Sequence, residues 1–436
     1  MERQRLAQRT TRDGRCVGIQ ATLATGSDGG GLDLYAVLDG MVGHETTDQE
    51  ALFADDPARE LWATLGKMIE QKLGFPLEPE LFSNMLFVAA LGRVADEAVR
   101  KQVASLLDTF RDTDVRGLYH FFLSLRFAGD IDCTGVAARA RLVSGDIDPG
   151  TAAGRAALRE VTTTILASAA TRTVASSENS THGKENGDLR RNVFKVYLDD
   201  HDRQGPECDR GLKNNPVVTA NALFAPLLEL KLGLRSPDEV IELKEYVEGE
   251  DTPRTASATV AEILTANVLY AIGYLLSGDW RRGCRYYASP DAFLCFLSES
   301  IREFPELFDE FGASEAIRAA IEERRHTEGG DVAENPMTSL NVAWRAIAAA
   351  NVGLDATPEL DRLVARQHED GSWHDPDSLY TFGSNTSITM HFRSTVVTAG
   401  FAIRALSQPA ERLTQISSSA WARPLIDGVA TAVAAL

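Results

Sequence analysis

The chain has 436 residues, of which 44% are hydrophobic and 25% are charged, and its formal net charge at pH 7 is −19. This composition is typical of a folded protein with a large core, and the negative charge argues against nucleic acid and anionic membrane surfaces as partners. The five scattered cysteines form no CxxC pair, and no stretch reaches about 18 consecutive apolar residues, which predicts a cytoplasmic protein without disulfides or a membrane span.

The chain begins with residues 1–32, which are polar, rich in arginine, and end in "TGSDGGG". This segment is predicted to be a loose leader. The polar stretch at about 174–192 contains few apolar residues and is predicted to be an insert on the surface. The remaining residues, 33–436, are then predicted to form one domain.

Apolar residues recur at a spacing of three to four through most of this domain, which predicts helices. The clearest segments are 58–74, 97–110, 218–233, 258–278, 291–304, 337–353 and 394–407. Several are apolar around most of their circumference, especially 258–278, which implies burial between other helices. The best strand candidate, "VFKVYLD" at 193–199, is isolated. Without a readable repeat, the pattern favours an all-α protein with a single α/α barrel and extra N-terminal helices.

Two similar stretches follow one another in the middle of the chain, "FAGDIDCTGVAARARL" at 127–142 and "SGDIDPGTAAGRAAL" at 144–158. Aspartate and threonine are good N-caps, so both stretches can be explained as helix starts. In the second, Asp148 before Pro149 is predicted to be a cap with proline at the first helical position.

The first stretch differs because the aromatic segment 117–129, with Tyr119 and Phe122, precedes it, whereas the second lies in a polar run. A carboxyl group in apolar surroundings resists ionisation, while a helix N-terminus stabilises its conjugate base. Together these effects predict a carboxylic acid that stays protonated and donates strongly. Such a group could protonate a carbon–carbon double bond, with the second aspartate holding its geometry.

The residues "DIDCT" resemble the D-x-D-D-T motif of class II terpene cyclases, the squalene–hopene cyclase superfamily with its prenyltransferase-like α/α barrel. The resemblance implies that Asp132 is the general acid and that Asp130 is its neighbour. Thr134 matches the last position of the motif, and Cys133 stands where the family usually has an aspartate.

The segment 366–384 resembles the QW motif of the same superfamily, Q-x-x-D-G-S-W, with Gln367 and Trp373 at its ends. The resemblance implies that these two residues cap helix ends. It also implies that Tyr380 and Phe382, in the aromatic stretch that follows, line the substrate cavity. Tyr119, Phe122 and Trp373 are further candidates for substrate-binding residues.

Further candidates lie in two segments rich in polar residues. Asn215 and Asn221 are candidates to hydrogen-bond the acid, although a cap by Asn215 before proline is the simpler interpretation. Arg281 and Arg285 suit diphosphate oxygens, although arginines in loops usually lie on plain surface. The acidic segment 197–202 lacks the spacing of a metal motif, and no cysteine and histidine set has zinc spacing.

The resemblance implies an enzyme that cyclises a linear isoprenoid, either a prenyl diphosphate or a prenylated metabolite. Asp132 would protonate a terminal alkene, and cyclisation would proceed through carbocations. Protonation needs no cofactor, and Mg²⁺ would serve only to hold a diphosphate. Two alternatives stay open: a non-catalytic barrel that binds an isoprenoid or a partner protein, and an α/α-barrel glycoside hydrolase. The sequence does not decide the oligomeric state.

Overall fold

The computed structural model describes part of the chain. The ranges are 18–25, 32–39, 82–91, 107, 117–121, 128–174, 189–198, 212–245, 253–327, 338–369, 371–373, 379–382, 388–407, 413 and 419–434. Side chains are not described at 18–25, 32–39, 382, 388–393 and 396. The helix predicted at 58–74, most of that at 97–110, Phe122 and most of the insert at 174–192 lie outside the described residues.

The described residues are mostly helical. The helices are α1 (Phe82–Leu91), α2 (Ile131–Ser144), α3 (Ala152–Ala167), α4 (Pro216–Lys231), α5 (Val260–Ser277), α6 (Pro290–Glu303), α7 (Pro305–Phe308), α8 (Ala313–Thr327), α9 (Ser339–Asn351), α10 (Thr357–Ala365), α11 (Thr395–Leu406) and α12 (Arg423–Ala434). Five of them match the segments predicted at 218–233, 258–278, 291–304, 337–353 and 394–407 to within a few residues.

Six of these helices close into a ring. Going around it, α1 packs on α2, α2 on α4, α4 on α6, α6 on α9, α9 on α11, and α11 returns to α1. Four more, α3, α5, α8 and α10, pack against the outside of ring helices. Two concentric layers of helices are the architecture of an α/α barrel, so the predicted fold class is confirmed.

The sequence of each helix explains its layer. Every residue of α4 is buried, including Asn221 and Glu229, because ring helices have neighbours on all sides. In contrast, α10 buries only Glu359 and Leu363 among its nine residues. A helix with one face exposed to water needs apolar residues only on its buried face. A ring helix is apolar around nearly its whole circumference.

Helix α5 departs from the prediction made for 258–278. It lies in the outer layer, packed on α4 and α12, and buries one face rather than its whole circumference. Among the described helices it alone has the length and composition to cross a bilayer, with half of that stretch buried in the protein. A core helix of a barrel meets the same criterion.

The sequence analysis missed a four-stranded sheet. Its strands are β1 (Gly18–Thr25), β2 (Leu32–Asp39), β7 (Tyr380–Phe382) and β8 (Ile388–Arg393), in the order β1-β2-β8-β7. Pairing is antiparallel except between β2 and β8. Strand β1 lies inside the segment predicted to be a loose leader.

Two short antiparallel pairs complete the described strands. Strands β5 (Val240–Glu245) and β6 (Arg254–Thr259) pair before α5. Strand β3 (Gly129–Asp130) pairs with β4 (Tyr197–Leu198). The strand candidate at 193–199 is therefore not isolated, because its end pairs with the residues that introduce α2.

Candidate active site

Asp130 is the N-cap of α2. Its Oδ1 accepts hydrogen bonds from the backbone N–H groups of Asp132 at 2.7 Å and Cys133 at 3.1 Å. The Thr134 hydroxyl donates to the carbonyl of Asp130 at 2.7 Å, which locks the first turn. Both backbone donors bind the same oxygen of Asp130, so this side chain holds the backbone that carries Asp132. Asp130 therefore acts as the group that fixes the geometry of its neighbour.

Tyr119 supports this turn from outside the helix. Its carbonyl accepts from the backbone N–H of Asp130 at 3.1 Å, and its own N–H donates to the Thr134 hydroxyl at 3.1 Å. The Tyr119 hydroxyl accepts from Arg141 at 2.9 Å. The candidate wall residue thus serves to position the motif. Cys133 is completely buried in the core beside it.

Asp132, the second residue of α2, accepts hydrogen bonds from one side chain of α4 and one side chain of the segment that precedes α6. The Asn221 amide of α4 donates to its Oδ1 at 2.7 Å, and the Tyr287 hydroxyl, just before α6, donates to its Oδ2 at 2.5 Å. The carboxyl group is only 2% exposed. The N-terminal parts of three ring helices therefore meet at one acid.

Gly135 allows this meeting because it lets α2 and α4 approach closely. A Cβ at Gly135 would lie 2.8 Å from the Cα and 2.9 Å from the backbone nitrogen of Ala222. Any larger residue would push the helices apart. The glycine lies one turn from Asp132, and Ala222 follows Asn221, so the close approach sets the distance between acid and amide.

Burial raises the pKa of Asp132 to about 6, against the hydrogen bonds from Tyr287 and Asn221 and the charge of Arg139, which lower it. Burial, followed by the nearby charge of Asp132, raises the pKa of Asp130 well above its usual value. The pKa of Tyr287 is raised well above its usual value, chiefly by burial, so its hydroxyl keeps its proton. Asp132 is therefore neutral below about pH 6. Its conjugate base accepts hydrogen bonds from two donors that are already in place, Asn221 and Tyr287.

Aromatic rings surround this acid. Tyr380 is at the centre of the cluster, with its ring centroid 5.1 Å from Phe121, 5.5 Å from Tyr287, 5.6 Å from Tyr286 and 5.7 Å from Phe82. Further rings extend the cluster: Tyr197 lies edge-on to Tyr286, and Phe296 edge-on to Tyr287. The rings of this cluster are buried, and Tyr380 is stacked on both Phe121 and Tyr286.

Strand β7 brings Tyr380 to the cluster through two bonds from Thr381. The Thr381 N–H donates to the carbonyl of Tyr286, and its hydroxyl donates to the carbonyl of Arg285, both at 2.6 Å. Arg285 lies beside the cluster, with its guanidinium 5.9 Å from the Tyr286 ring centroid. The side chain of Phe382, the other predicted wall residue in this strand, is outside the described residues.

Two other predicted site residues, Asn215 and Arg281, make contacts that have structural explanations. Asn215 caps α4, accepting from the N–H groups of Val217 and Val218 at 3.0 and 3.2 Å, and its partner in the predicted pair, Asn221, reaches the acid. The Arg281 side chain is 51% exposed and forms an ion pair with Glu323. The simpler interpretations of Asn215 and Arg281, as a cap and a surface arginine, agree with these contacts.

Trp373 packs on an outer helix, which makes it a poor candidate for the cavity wall. Its Nε1 donates to the carbonyl of Leu363 near the end of α10 at 2.9 Å, and Gln367 donates to the carbonyl of Gly371 at 3.1 Å. These two hydrogen bonds close the end of α10.

The second copy of the motif is built differently from its predicted form. Helix α3 begins at Ala152, and its cap is Thr151, which accepts from the N–H of Gly154 at 3.0 Å. Asp148 instead accepts from Gly150 in the preceding turn at 2.9 Å. The prediction that Asp148 caps this helix, with Pro149 as its first residue, is wrong, because the turn needs three more residues before the helix starts.

Tyr287 is the functional residue that sequence reasoning missed. It stands in "RYYASP", two residues before the cap Ser289 and the first helical residue Pro290. Asn215 and Pro216 mark the start of α4 in the same way. A cap followed by proline is a readable signal, and polar residues near such starts could have been grouped as one site.

No protein-family model matches the chain. A stretch of 151 residues, 34% of this chain, is 28% identical to the drimenol cyclase drtB of Aspergillus calidoustus and spans 25% of that protein. The chain therefore matches a quarter of the length of this curated relative. In sequence, it is similar to a terpene cyclase over about a third of its own length.

Two solved structures that are similar to this chain are both of the type II terpene cyclase MstE from Scytonema. A variant in complex with its substrate geranylgeranyl dihydroxybenzoate has a TM-score of 0.43 and 13% identity, covering 74% of this chain and 86% of that one. The ligand-free protein has a TM-score of 0.42 and 12% identity, with coverages of 74% and 87%.

Proposed function

We propose that this protein is a class II terpene cyclase-like enzyme that cyclises a linear isoprenoid by protonating its terminal double bond. The observation that carries the proposal is the Asp132 carboxyl, with a pKa raised to about 6, held by Asn221 and Tyr287 and fixed by the cap Asp130. The match to a drimenol cyclase supports the same reaction class.

In the proposed first step, Asp132 transfers its proton to the CH carbon of the terminal double bond, whose other carbon bears two methyl groups. The π electrons form the new C–H bond, and a tertiary carbocation remains at the adjacent carbon. Asp132 becomes a carboxylate, and the donors on Asn221 and Tyr287 stabilise its charge. These bonds strengthen as the negative charge develops, so they lower the barrier rather than only binding the ground state.

In the following steps, internal double bonds attack the cation and form rings. In this proposal the rings of Tyr380, Tyr286 and Phe121, which pack together near the acid, stabilise the moving positive charge. Excluding water keeps the cation from being captured early. Loss of a proton or capture of water ends the reaction.

Protonation in this proposal needs no cofactor, and Mg²⁺ would be required only to hold a diphosphate group. Asp130 is not a second catalytic carboxylate of the kind that glycoside hydrolases use, because it starts the same helix turn and bonds backbone N–H groups.

The experiment is incubation of the purified protein with geranyl, farnesyl and geranylgeranyl diphosphate, with and without Mg²⁺. Products are extracted before and after phosphatase treatment and identified by mass spectrometry. We expect a cyclic isomer of at least one substrate from the wild-type protein and none from Asp132→Asn. Cyclic products in equal yield from both proteins would refute the role of Asp132.

A further inference from the structure

A cavity lies at the end of the barrel where five of the ring helices end. Five ring helices, α1, α2, α6, α9 and α11, contribute residues near their C-terminal ends to a cavity of about 440 Å³. Its apolar lining includes Ala89, Ala90, Val143, Ile347 and Leu360. Its volume lies within the usual range of small-molecule sites. Asp132 is not among the lining residues, so this is a separate place in the fold.

Arg139 lines this cavity and is only 2% exposed. Its Nε and Nη2 are buried and have no hydrogen-bond acceptor among the described residues. The guanidinium lies over the ring of Phe296, 5.4 Å from the centroid, which offsets part of the cost of burial. A buried guanidinium with two unused donors is costly, so its retention in a ring helix calls for an explanation.

The two unused donors form one edge of the guanidinium. Nε–H and Nη2–H point the same way and match the two oxygens of a carboxylate or phosphate. Elsewhere in this protein the same edge holds carboxylates. Arg324 binds Asp291 through Nε at 3.2 Å and Nη2 at 3.0 Å, and Arg325 binds Glu359 at 2.8 and 2.6 Å.

The acidic groups at the cavity are already engaged. Glu299 accepts from Arg404, from Arg302 at 3.4 Å and from Asn351 at 3.1 Å. The pKa of this carboxyl is lowered to about 2, against burial, chiefly by the charges of Arg404 and Arg302, so it is ionised. Asp355 accepts from Thr357 through both its N–H and hydroxyl. Neither carboxylate bonds the open edge of Arg139.

We propose that this cavity is a binding site for an organic oxyanion, a carboxylate or phosphate attached to an apolar body. Two oxygens of the head group bind Nε and Nη2 of Arg139, and the apolar body packs along the alanines of α1 and Leu360. Arg139 follows Asp132 by seven residues, about 10 Å along the axis of α2, so the cavity lies two helix turns from the acid, close enough for the charge of Arg139 to lower the pKa of Asp132.

The test is calorimetric titration of the full chain with decanoate, decyl phosphate, decanol and inorganic phosphate, each below its aggregation limit. We expect saturable binding of decanoate or decyl phosphate, and the tighter of the two identifies the head group. Decanol and inorganic phosphate should each bind at least about tenfold more weakly, because each lacks one half of the ligand. Equal affinity for decanol, or for inorganic phosphate, would overturn the proposal.

Arg139→Met keeps the length of the stem and removes the charged edge. We expect the affinity for the best anion to fall roughly tenfold or more, with affinity for decanol unchanged. Arg281→Met is the matched control, because Arg281 is a surface arginine paired with Glu323. An equal loss in both variants would show that only general charge matters.

A second variant tests the cavity without touching any charge. Ala350 lines the cavity from an exposed position on α9, so Ala350→Trp can fill the opening without disturbing the ring. Loss of anion binding in this variant supports the site, and unchanged binding overturns it. Calorimetry requires no turnover, so these results do not depend on the proposed cyclase activity.

Discussion

Tyr287 lies 155 residues after Asp132 in the chain, yet its hydroxyl donates to Oδ2 of that aspartate over 2.5 Å. Asn221 donates to Oδ1, so both oxygens of the ionised carboxylate already accept a hydrogen bond from a neighbour. When Asp132 is neutral, its own O–H needs an acceptor. The Tyr287 oxygen can turn from donor to acceptor, or a substrate double bond can take that place. The pair thus links the protonation state of the acid to the arrangement of the site.

Replacing Asp132 by asparagine should abolish cyclisation and leave the fold intact. An amide keeps the size and polarity of the side chain but cannot deliver a proton, so turnover should fall by about two to four orders of magnitude or more. The matched control is Asp148→Asn in the second copy of the motif, where Asp148 only bonds Gly150 in a turn. Product formation and far-ultraviolet circular dichroism check both. An equal loss of product formation in the two variants would show that the first copy of the motif is not specifically the one that carries out the reaction.

Activity should decline as the pH rises through about 6. Only the neutral form of Asp132 can donate, and its pKa is raised to about 6 because the group is buried. The falling limb of the pH profile of kcat/KM therefore reports this group in the free enzyme. A limb near pH 4, the value for an exposed carboxyl, would contradict the assignment.

Tyr287→Phe should move that limb to higher pH. The hydroxyl stabilises the carboxylate and lowers the pKa of Asp132, so its removal raises the pKa. The acid also becomes weaker, and the rate at low pH should fall by about tenfold, the effect of one charge-assisted hydrogen bond. Tyr274→Phe is the control, since Tyr274 donates to the carbonyl of Gly283 and not to the acid. If the falling limb of the pH profile does not move, the Tyr287 hydroxyl does not influence the pKa of the acid and the residue only contributes packing.

Tyr380→Leu should change which products form. Leucine retains much of the volume but removes a ring face near the cation, an attraction of about 2 kcal/mol when desolvated. We expect early deprotonation and fewer rings, detected by mass spectrometry. Tyr274→Leu, which removes a ring packed on Phe293, should lower stability without altering the product ratio. The same ratio in both variants would place Tyr380 in the core rather than the cavity wall.

The raised pKa of Asp132 also affects folding. Because the folded state favours the neutral form, the contribution to stability is complete below the unfolded pKa of 3.8 and is lost as the pH rises through about 6. Denaturation of the wild-type protein should therefore show a free energy of unfolding that declines between these values, relative to Asp132→Asn. If the free energy of unfolding of both proteins depends on pH in the same way, folding does not raise the pKa of this carboxyl.

Much of the barrel could be predicted because its helices carry a local signal. Continuous apolar character predicts burial in α4, and a cap followed by proline marks where α4 and α6 begin. A candidate acid could be proposed from the sequence because a paired-aspartate motif needs only five adjacent residues. Asn221 could be suggested, although only the fold shows that it reaches Asp132 while Asn215 caps its helix.

Other features depend on contacts between distant segments. Strands β1 and β2 are held by β8, more than three hundred residues later, and no local pattern reports such a partner. Tyr287 gains its role from where α6 meets α2. The unused edge of Arg139 is likewise invisible in "GVAARARL", where the arginine looks like an ordinary helix residue. Helix α5 was misassigned because apolar composition does not distinguish an outer helix with one exposed side from a ring helix.

The ring of six helices has a consequence for how the chain is made. Helix α1 ends at residue 91, and its neighbour α11 begins at residue 395, so the last contact of the ring joins segments synthesised far apart in time. Until α11 leaves the ribosome, the faces of α1 and α9 that it covers are exposed to water. A long nascent chain with open apolar faces is a substrate for chaperones, and slow closure of so large a loop delays release of the finished barrel. Asn221 and Tyr287 precede α11 in the chain, so both donors to Asp132 are synthesised before the ring can close.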